Sequence, residues 1–508
     1  MHKNILTNSL GKNIVIITSI SGLLLALSFG PFNLNFLAWF SFIPIFFLLD
    51  MRKDGFRVGF LFGVFFFLFL LYWIPFSNVE PQTRIYIIFG FLLLLGYLSV
   101  YFGLAFYLYP KMKQRGLILL WPIVFIGLEF FRTLTSNFGF PWGVVGYSQS
   151  RMWFLIQFAS LGGLPLVGIW VIYLNLFFYL FLKLRLRKYL YTFLSLIIIP
   201  LIGSIIYVHL YRLPSQSLNV CIIQTDINPD AKREGYSEYR LEVIDSLIEA
   251  NKGYDLYVLP ESASPCFIFN NINCRGKFEN LSRRLKTGII AGTPEYEFKK
   301  NKTVYYNSVA YLEDGMLNGR YRKNYLVPFV ERFPYNDVIP LFERINLGQG
   351  DFFPGRKFTV FKGPGYKFSV PVCFEEIFPR VIRRFVRNGA NFIVNITEDS
   401  WFGKLSGPYQ HFDMSVFRAI EYRRSIVRCA NTGISGFIDP FGRVVEKTHI
   451  FTRNVVSDRI PIVKRLTVYA KVGDFFGWVS LAFAIFMFII LKFRKVRNIN
   501  IDEENNKK

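Results

Sequence analysis

The sequence predicts a bundle of membrane-spanning helices joined to an α/β domain outside the membrane. Three observations lead to this fold class. Of the 508 residues, 52% are hydrophobic and 19% are aromatic, which is unusually apolar for a soluble chain of this length. The apolar residues are concentrated in long blocks in the first 211 positions and again near 475–491. From Leu218 onward, short β-rich runs alternate with helical patterns, as in α/β or α+β domains.

Eight apolar stretches approach the roughly 20 residues that a membrane-spanning helix needs. The second and fifth are short enough to be partly re-entrant, so we expect about eight spans. The first has no small-residue cleavage site, and we interpret it as a retained helix rather than a signal peptide. The stretches lie near 14–31, 36–50, 57–76, 85–109, 117–131, 153–182, 189–211 and 475–491.

Loop charges predict the orientation of these helices. If the N-terminus is cytoplasmic, 18 Lys and Arg residues fall on the cytoplasmic side, and only Arg84, Arg132 and Arg151 fall in the short outside loops. In membrane proteins the loops with the excess of Lys and Arg lie on the cytoplasmic side. We therefore expect both termini in the cytoplasm and the long polar region outside it.

This orientation divides the chain into three segments. We expect an N-terminal transmembrane bundle at 1–211, an extracytoplasmic domain at 212–474, and a last span with a basic tail at 475–508. The net charge of +24 suits basic loops beside anionic lipid. Nucleic acid is not an expected partner, because the chain has no basic helix, zinc pattern or RNA-binding signature.

Within the polar region we predict eight strands and three clear helices. The strands are expected at 219–224, 256–259, 287–292, 305–312, 358–361, 367–372, 391–396 and 435–438, and the helices at 239–251, 378–388 and 411–424.

Two polar features interrupt the membrane half. Glu129 precedes Arg132 by three residues, so the two can pair on one helix face, either as a functional site at membrane depth or as a structural ion pair. The loop 138–149 mixes glycine with aromatic residues, which fits either an aromatic belt at the water interface or part of a lipid-facing entrance.

The five cysteines form no CxxC pair, so the sequence predicts no metal site, and no motif calls for an organic cofactor. Cys266 and Cys274 are close enough in sequence to form a disulfide if they face an oxidising compartment. Whether they do is left open by the sequence.

Three stretches carry candidate chemistry. Glu261 follows an apolar strand, and Lys323 and Glu331 flank an apolar loop that contains a proline. Cys373 ends an apolar strand at the start of a carboxylate-rich helix, a turn that can present a nucleophile and aim backbone N–H groups at its target. Taken singly, each has an ordinary explanation: a small buried thiol, a solvated strand end, an exposed loop lysine.

In the order Glu, Lys, Cys, these stretches resemble the nitrilase superfamily of carbon–nitrogen hydrolases. The segments 397–403, 407–411, 418–424, 431–435 and 439–443, together with the membrane half and its Pro-Trp-Gly loop, are similar to the apolipoprotein N-acyltransferase family. The resemblance extends from about residue 14 to residue 491. It implies an α-β-β-α sandwich for the extracytoplasmic domain.

The resemblance also implies a mechanism. Glu261 would be the general base, Lys323 the stabiliser of the thiolate and oxyanion, and Cys373 the nucleophile and acyl carrier. Four further residues would support them: Glu331, Glu375, Tyr325 and Trp401. The family departs from this chain at three positions, since it often has His at Tyr325, Gly at Val330, and Asn or Asp at Glu398.

By the same resemblance, the acyl donor is a phospholipid and the acceptor is a diacylglyceryl-modified apolipoprotein, without a metal or cofactor. The expected location is the inner membrane of a bacterium, with the active site on the periplasmic side and open to membrane lipids. Two alternatives remain: a membrane-tethered amidase or nitrilase that hydrolyses a small amide, and a transporter or receptor with a non-catalytic nitrilase-like domain. Only the first would need the same three residues.

Overall fold

The chain folds into an apolar helical part and a part built on two β-sheets. The computed structural model describes residues 13–78, 81–134, 139–227, 237–299, 302–332 and 351–493. The first residues of the chain, Phe138 of the Gly/aromatic loop and the basic tail from residue 494 lie outside the described residues.

Among the described residues, seven α-helices of the helical part precede strand β1. Their side chains are mostly apolar, so the groups that need hydrogen bonds are mainly those of the backbone. A helix satisfies these internally and leaves its side chains to contact one another or lipid. They are α1 (Ile14–Leu27), α2 (Ile43–Met51), α3 (Gly55–Leu70), α4 (Arg84–Gln114), α5 (Trp121–Phe131), α6 (Ala159–Leu184) and α7 (Arg187–Leu210).

Twelve strands follow in the described part of the chain. They are β1 (Ser217–Gln224), β2 (Leu256–Val258), β3 (Gly288–Lys299), β4 (Lys302–Glu313), β5 (Met316–Arg322), β6 (Phe361–Gly363), β7 (Tyr366–Ser369), β8 (Phe392–Thr397), β9 (Ile426–Ala430), β10 (Gly436–Ile438), β11 (Val444–Lys447) and β12 (Asn454–Pro461).

The strands form two six-stranded sheets, in the orders β12-β1-β2-β3-β4-β5 and β11-β10-β9-β8-β7-β6. The centre of each sheet is parallel: β2 runs parallel to β1 and β3, and β8 runs parallel to β7 and β9. The two sheets pack face to face. Tyr311 on β4 contacts Phe368 on β7 with 4.9 Å between ring centroids, and the Cys429 thiol on β9 lies 3.3 Å from the Val258 carbonyl oxygen on β2.

Helices cover the outer face of each sheet, which confirms the predicted α-β-β-α sandwich. On the first sheet these are α8 (Ser237–Glu249) and α9 (Ile272–Leu285), whose apolar side chains form a core of their own with β1, β2 and β3. On the second sheet they are α10 (Pro379–Arg387) and α11 (Gly407–Tyr422), followed by α12 (Val468–Val472) and the terminal helix α13 (Phe475–Phe493).

The apolar helices coincide with the eight predicted stretches. Four are long and apolar enough to cross a membrane, by length and composition: Gly55–Phe76, Arg84–Gln114, Ala159–Leu184 and Arg187–Leu210. Shorter apolar helices occupy Ile14–Leu27, Asn35–Met51, Ile118–Phe131 and Phe475–Leu491. The chain is therefore a membrane protein with several candidate spans, and the number eight stays a prediction.

The α11 layer joins the two parts of the fold. The Gln410 side-chain oxygen accepts hydrogen bonds from the indole N–H groups of Trp73 (3.2 Å) and Trp142 (2.7 Å). At the far end of α11, a Glu421 carboxylate oxygen accepts the backbone N–H of Leu164 at 2.9 Å. This N–H group directly follows Gly163, where φ is +67° and α6 is kinked. The kink leaves the N–H without an acceptor in its own helix, and α11 of the two-sheet part supplies one.

The described residues of the loop 138–149 do not form an aromatic belt at the water interface, because residues 141–149 are buried and Trp142 packs against Trp73 and Phe402. Pro141 and Val144 line a cavity together with Glu129, so the other interpretation, part of a lipid-facing entrance, stays a prediction. The Glu129 and Arg132 pair explains how this loop is held. Arg132 donates to the backbone oxygens of residues 140, 142 and 143, and Glu129 accepts the backbone N–H of residue 145. The structure thus favours a structural role for the pair.

Candidate active site

Three charged side chains predicted from separate parts of the sequence meet inside the two-sheet domain. The Lys323 ammonium lies 2.9 Å from the Glu331 carboxylate and 3.4 Å from Glu261 Oε1, and all three residues are at most 6% exposed. The side-chain N–H₂ of Asn307 bridges the carboxylates, at 2.6 Å from Glu261 and 3.0 Å from Glu331. One cation and one amide therefore hold two buried carboxylates together.

Glu261 lies just beyond the carboxyl end of β2, where parallel strands place functional groups. Its second oxygen, Oε2, accepts the backbone N–H of Glu398 at 2.8 Å, which links the first sheet to the loop after β8. The chain around it is tightly packed. A Cβ at Gly292 would lie 2.8 Å from the Glu261 Cα atom, so only glycine permits this approach.

Cys373 begins a short 3₁₀-helix (Cys373–Ile377) after β7, at the predicted strand-to-helix turn. Its φ is +50°, a left-handed conformation that non-glycine residues seldom adopt and that is common at functional sites. The side-chain N–H₂ of Asn395 holds the turn through the carbonyl oxygens of Pro371 (3.2 Å) and Cys373 (3.4 Å). The thiol is free and 4% exposed.

The pKa values of the cluster follow from burial and from its charges. Burial raises the pKa of the Cys373 thiol well above its usual value, and the Glu261 carboxylate raises it further, whereas Lys323 opposes this shift. Burial also raises the pKa of Glu261, which makes it a stronger base than an exposed carboxylate. Burial alone would lower the pKa of Lys323, but Glu261 and Glu331 outweigh it and raise that pKa, so the ammonium stays charged.

Glu375 connects the lysine loop with the cysteine turn. Its fully buried carboxylate accepts the Tyr321 hydroxyl (2.7 Å) and the backbone N–H groups of Asn324 (2.7 Å), Tyr325 (3.1 Å) and Val372 (2.8 Å). Two of these donors directly follow Lys323 and one directly precedes Cys373. Burial raises the pKa of Glu375 to about 6 despite these donors. Glu375 thus sets the distance between Lys323 and Cys373.

Glu376 points elsewhere, although it is adjacent in sequence. Its carboxylate pairs with Arg428 at 2.9 Å and accepts the Ser415 hydroxyl at 2.7 Å. Of the two neighbouring glutamates, only Glu375 therefore contacts the lysine loop.

The remaining two predicted residues do not join the charged cluster. The Tyr325 ring packs on Phe378, at 5.6 Å between centroids, while its backbone bonds to Glu375. Trp401 stacks on Phe402 at 4.0 Å and lies 6.0 Å from Trp73 of the helical part. Its carbonyl oxygen accepts the backbone N–H of Asn78 at 2.8 Å, so Trp401 contributes to the contact between the two parts of the fold.

Sequence reasoning missed Asn307 and Thr397. Asn307 interrupts an apolar strand, but nothing near it distinguishes it from a strand-edge amide. Thr397, at the end of β8, donates its hydroxyl to Asp399 at 2.9 Å and acts to lower the pKa of the Cys373 thiol. The positive φ that a glycine before Glu331 would supply falls instead on Phe329, at +67°, so Val330 needs no unusual backbone. At position 398 the family often has Asn or Asp, and this chain has Glu398. The side-chain N–H₂ of Asn431 donates to the Glu398 carboxylate at 2.8 Å.

The described residues contain no group of His, Cys, Asp and Glu suited to a metal ion. Cys266 and Cys274 are disulfide-bonded, which resolves the pairing that the sequence left open.

Two protein-family models match this chain. A family model described as carbon-nitrogen hydrolase matches residues 220–464, which defines the two-sheet part as a domain of that class. A second model, described as apolipoprotein N-acyltransferase N-terminal domain, matches residues 21–177.

Relatives extend the match over nearly the whole chain. The apolipoprotein N-acyltransferase of Geobacter metallireducens is 33% identical over 483 residues, covering 91% of this chain and 92% of that protein. The one of Thermotoga maritima is 31% identical over 499 residues, covering 95% and 94%. The chain belongs to the apolipoprotein N-acyltransferase family. Among solved structures, Nit3 of Saccharomyces cerevisiae, a nitrilase superfamily member, aligns with a TM-score of 0.39 at 20% identity, over 49% of this chain and 92% of Nit3.

Proposed function

We propose that this protein transfers a fatty acyl chain from a phospholipid, through a thioester on Cys373, to the α-amino group of the diacylglyceryl-modified cysteine of an apolipoprotein. One observation carries the proposal. In a chain of this family, a buried lysine contacts two carboxylates beside a free thiol. A thiol is a weak nucleophile until a base removes its proton, and Glu261 is the base that lies beside it.

In the first half-reaction Glu261 takes the Cys373 proton as the sulfur attacks the ester carbonyl carbon of the phospholipid. The negative charge that develops on the carbonyl oxygen is stabilised by the Lys323 ammonium and by backbone N–H groups at the start of the Cys373 helix. The C–O ester bond then breaks, and Glu261 returns the proton to the departing lysophospholipid oxygen. The acyl chain is left as a thioester.

In the second half-reaction the apolipoprotein amine attacks the thioester carbonyl. Glu261 accepts a proton from the amine nitrogen, the C–S bond breaks, and the proton passes to the Cys373 sulfur. The product is an amide, and the thiol is restored. Because one site serves both substrates in turn, we expect ping-pong kinetics.

Two observations support an extracytoplasmic position for this domain, at 212–474, in the inner membrane of a bacterium. The Cys266–Cys274 disulfide suits an oxidising compartment. The Lys and Arg residues of the loops favour the opposite side as the cytoplasmic one. Both proposed substrates are anchored in the membrane by their acyl chains, so a site joined to membrane helices lies close to both of them.

The decisive experiment uses purified full-length protein and a phospholipid with a labelled acyl chain. We expect a covalent acyl adduct that hydroxylamine removes and that the Cys373→Ala variant does not form. Cys429→Ala is the matched control, because that thiol is also buried and free but lies between the sheets. Absence of an adduct in the wild-type protein, or its survival in Cys373→Ala, would refute the proposal.

Adding a diacylglyceryl-cysteine peptide should then discharge the adduct and label the peptide. An adduct that only water discharges would instead favour the alternative, a membrane-tethered amidase or nitrilase acting on a small amide. That alternative shares the three central residues but does not explain why the chain has so many apolar helices.

Glu331 is a positioning residue in this scheme. Glu331→Ala removes one of the two carboxylates on Lys323 and the acceptor of the Asn307 and Val327 N–H groups. We expect turnover to fall by about 10- to 100-fold, in the range of residues that orient catalytic groups. Measurement of kcat and of the melting temperature in detergent checks this. Glu331→Gln, which keeps an oxygen acceptor for Lys323, should recover part of the rate, and a variant with unchanged turnover would reject the role.

A further inference from the structure

A crevice with a basic rim lies where α7 ends and the two-sheet domain begins. It has a volume of about 670 Å³, and its other side is the segment 463–465 that follows β12. Three exposed cations, Arg212, Lys464 and Arg465, line it, and no Asp or Glu is among its lining residues within the described chain. None of the three forms an ion pair with a described carboxylate. The crevice therefore carries a positive charge that the described part of the protein does not neutralise.

The wall of the crevice below this rim is apolar. It is formed by the last two turns of α7, where Ile206 and Leu210 are 51% and 71% exposed. Further along the same helix, Ile199 and Ile202 are also exposed. An apolar helix face of this length contacts acyl chains when the helix lies in a bilayer. The cations thus lie at the end of a lipid-facing surface.

The rim is held in place by buried groups. The Arg424 guanidinium, 1% exposed, donates to the carbonyl oxygens of Arg465 (2.9 Å) and Lys464 (3.3 Å). The backbone N–H of Ile462 donates to the Gln216 carbonyl oxygen at 2.9 Å, which ties this segment to the one carrying Arg212. The backbone that carries the three cations is therefore already ordered before an anion binds.

We propose that this crevice binds the anionic headgroup of a membrane phospholipid. The phosphate lies among Arg212, Lys464 and Arg465, and the acyl chains lie along α7. Cations at the end of a membrane helix attract anionic headgroups, and guanidinium groups bind phosphate through two N–H donors at once. None of the crevice residues contacts the charged cluster around Lys323, so this lipid is distinct from the acyl donor. The inference requires α7 to lie in the bilayer and does not rest on acyl transfer.

The test uses the full-length protein with Cys373→Ala, so that no bound lipid can be consumed as a donor. Native mass spectrometry in detergent follows the binding of phosphatidylglycerol and of phosphatidylcholine, which has the phosphate but no net charge. We expect tighter binding of phosphatidylglycerol. Because each cation at an anionic surface contributes about a fivefold factor, Arg212→Gln with Lys464→Gln should weaken that binding by about 25-fold.

The matched control is Lys277→Gln with Lys286→Gln, which also removes two charges. These exposed lysines belong to α9 and to the residue after it, in the helix layer on the far side of the sandwich from the helical part. The control should bind phosphatidylglycerol as its parent does. Equal affinity for the two lipids, or equal loss in the two double variants, would overturn the proposal.

Inorganic phosphate distinguishes a headgroup site from a site for the free ion. At 10-fold excess over the lipid it should leave phosphatidylglycerol bound, because it cannot contact α7. If phosphate at that excess displaces phosphatidylglycerol, and does not do so in the Arg212 and Lys464 double variant, the crevice is a site for free phosphate and the lipid proposal is rejected.

Discussion

Replacing Glu261 by glutamine is expected to lower the rate of acyl transfer at pH 7 by about 10²- to 10⁴-fold, the usual contribution of a general base. The Cys373 thiol has a pKa well above its ordinary value, because it is buried beside a carboxylate, so almost none of it ionises unaided at neutral pH. In the proposed mechanism Glu261 removes this barrier by taking the proton as the sulfur attacks. Formation of the labelled acyl adduct under single-turnover conditions measures the effect directly.

The pH profile separates loss of a base from loss of structure. Without Glu261 the reactive thiolate must form by exchange with solvent, so the residual rate should rise about tenfold per pH unit as long as the pH stays below the pKa of the buried thiol. In the wild-type protein the rate should rise through the pKa of Glu261, which burial holds above its ordinary value, and level off once the carboxylate is ionised. A flat profile in Glu261→Gln would contradict its role as base.

Glu313→Gln is the matched control, since Glu313 is also a buried glutamate but lies on β4 away from the charged cluster. Burial raises its pKa to about 7, so at neutral pH the substitution removes only about half of a negative charge. Its rate should stay within a factor of a few of the wild-type rate.

Replacing Lys323 by methionine should have two effects. The rate should fall by about 10²- to 10³-fold, as when a donor to a developing oxyanion is removed. The free energy of unfolding should fall as well, by about 3–5 kcal/mol, because two buried carboxylates lose their cation. The adduct assay measures the first effect, and the denaturation midpoint in detergent measures the second.

A double variant tells the two effects apart. Lys323→Met with Glu331→Gln leaves one carboxylate instead of two, so much of the lost stability should return. The rate should remain low, because no cation faces the oxyanion. Recovery of rate together with stability would show that Lys323 acts only as a structural ion-pair partner.

Each of the three residues that the sequence predicts to be central carries only a weak local signal. Glu261 and Cys373 follow apolar strands, and Lys323 precedes an apolar loop whose other end is Glu331. These side chains come from both sheets and meet because the carboxyl ends of parallel strands in a sandwich share one edge. The prediction that the three residues form one site came from their order along the chain and from the family resemblance.

Contacts between distant segments could not be predicted in this way. The loop near Trp142 has the composition of an interfacial belt, and its burial depends on Gln410, which is 268 residues away. Strands β5, β9, β11 and β12 were also missed. Strand β9 contains a buried arginine, Arg428, which is paired with Asp399 and Glu376, and β11 lies at a sheet edge and is mostly exposed. In both cases tertiary pairing outweighs local composition.

The hydrogen bonds from the helical part to α11 also constrain biogenesis. The indole N–H groups of Trp73 and Trp142 and the backbone N–H of Leu164 all have acceptors on α11, which is synthesised long after the helices that carry them. Until α11 arrives, each of these donors must use water or another partner, at about 1–3 kcal/mol per buried group left unpaired. In the proposed topology, the helices therefore reach their final arrangement only after the chain that follows them has crossed the membrane, so insertion of the helices and folding of the two-sheet domain are coupled.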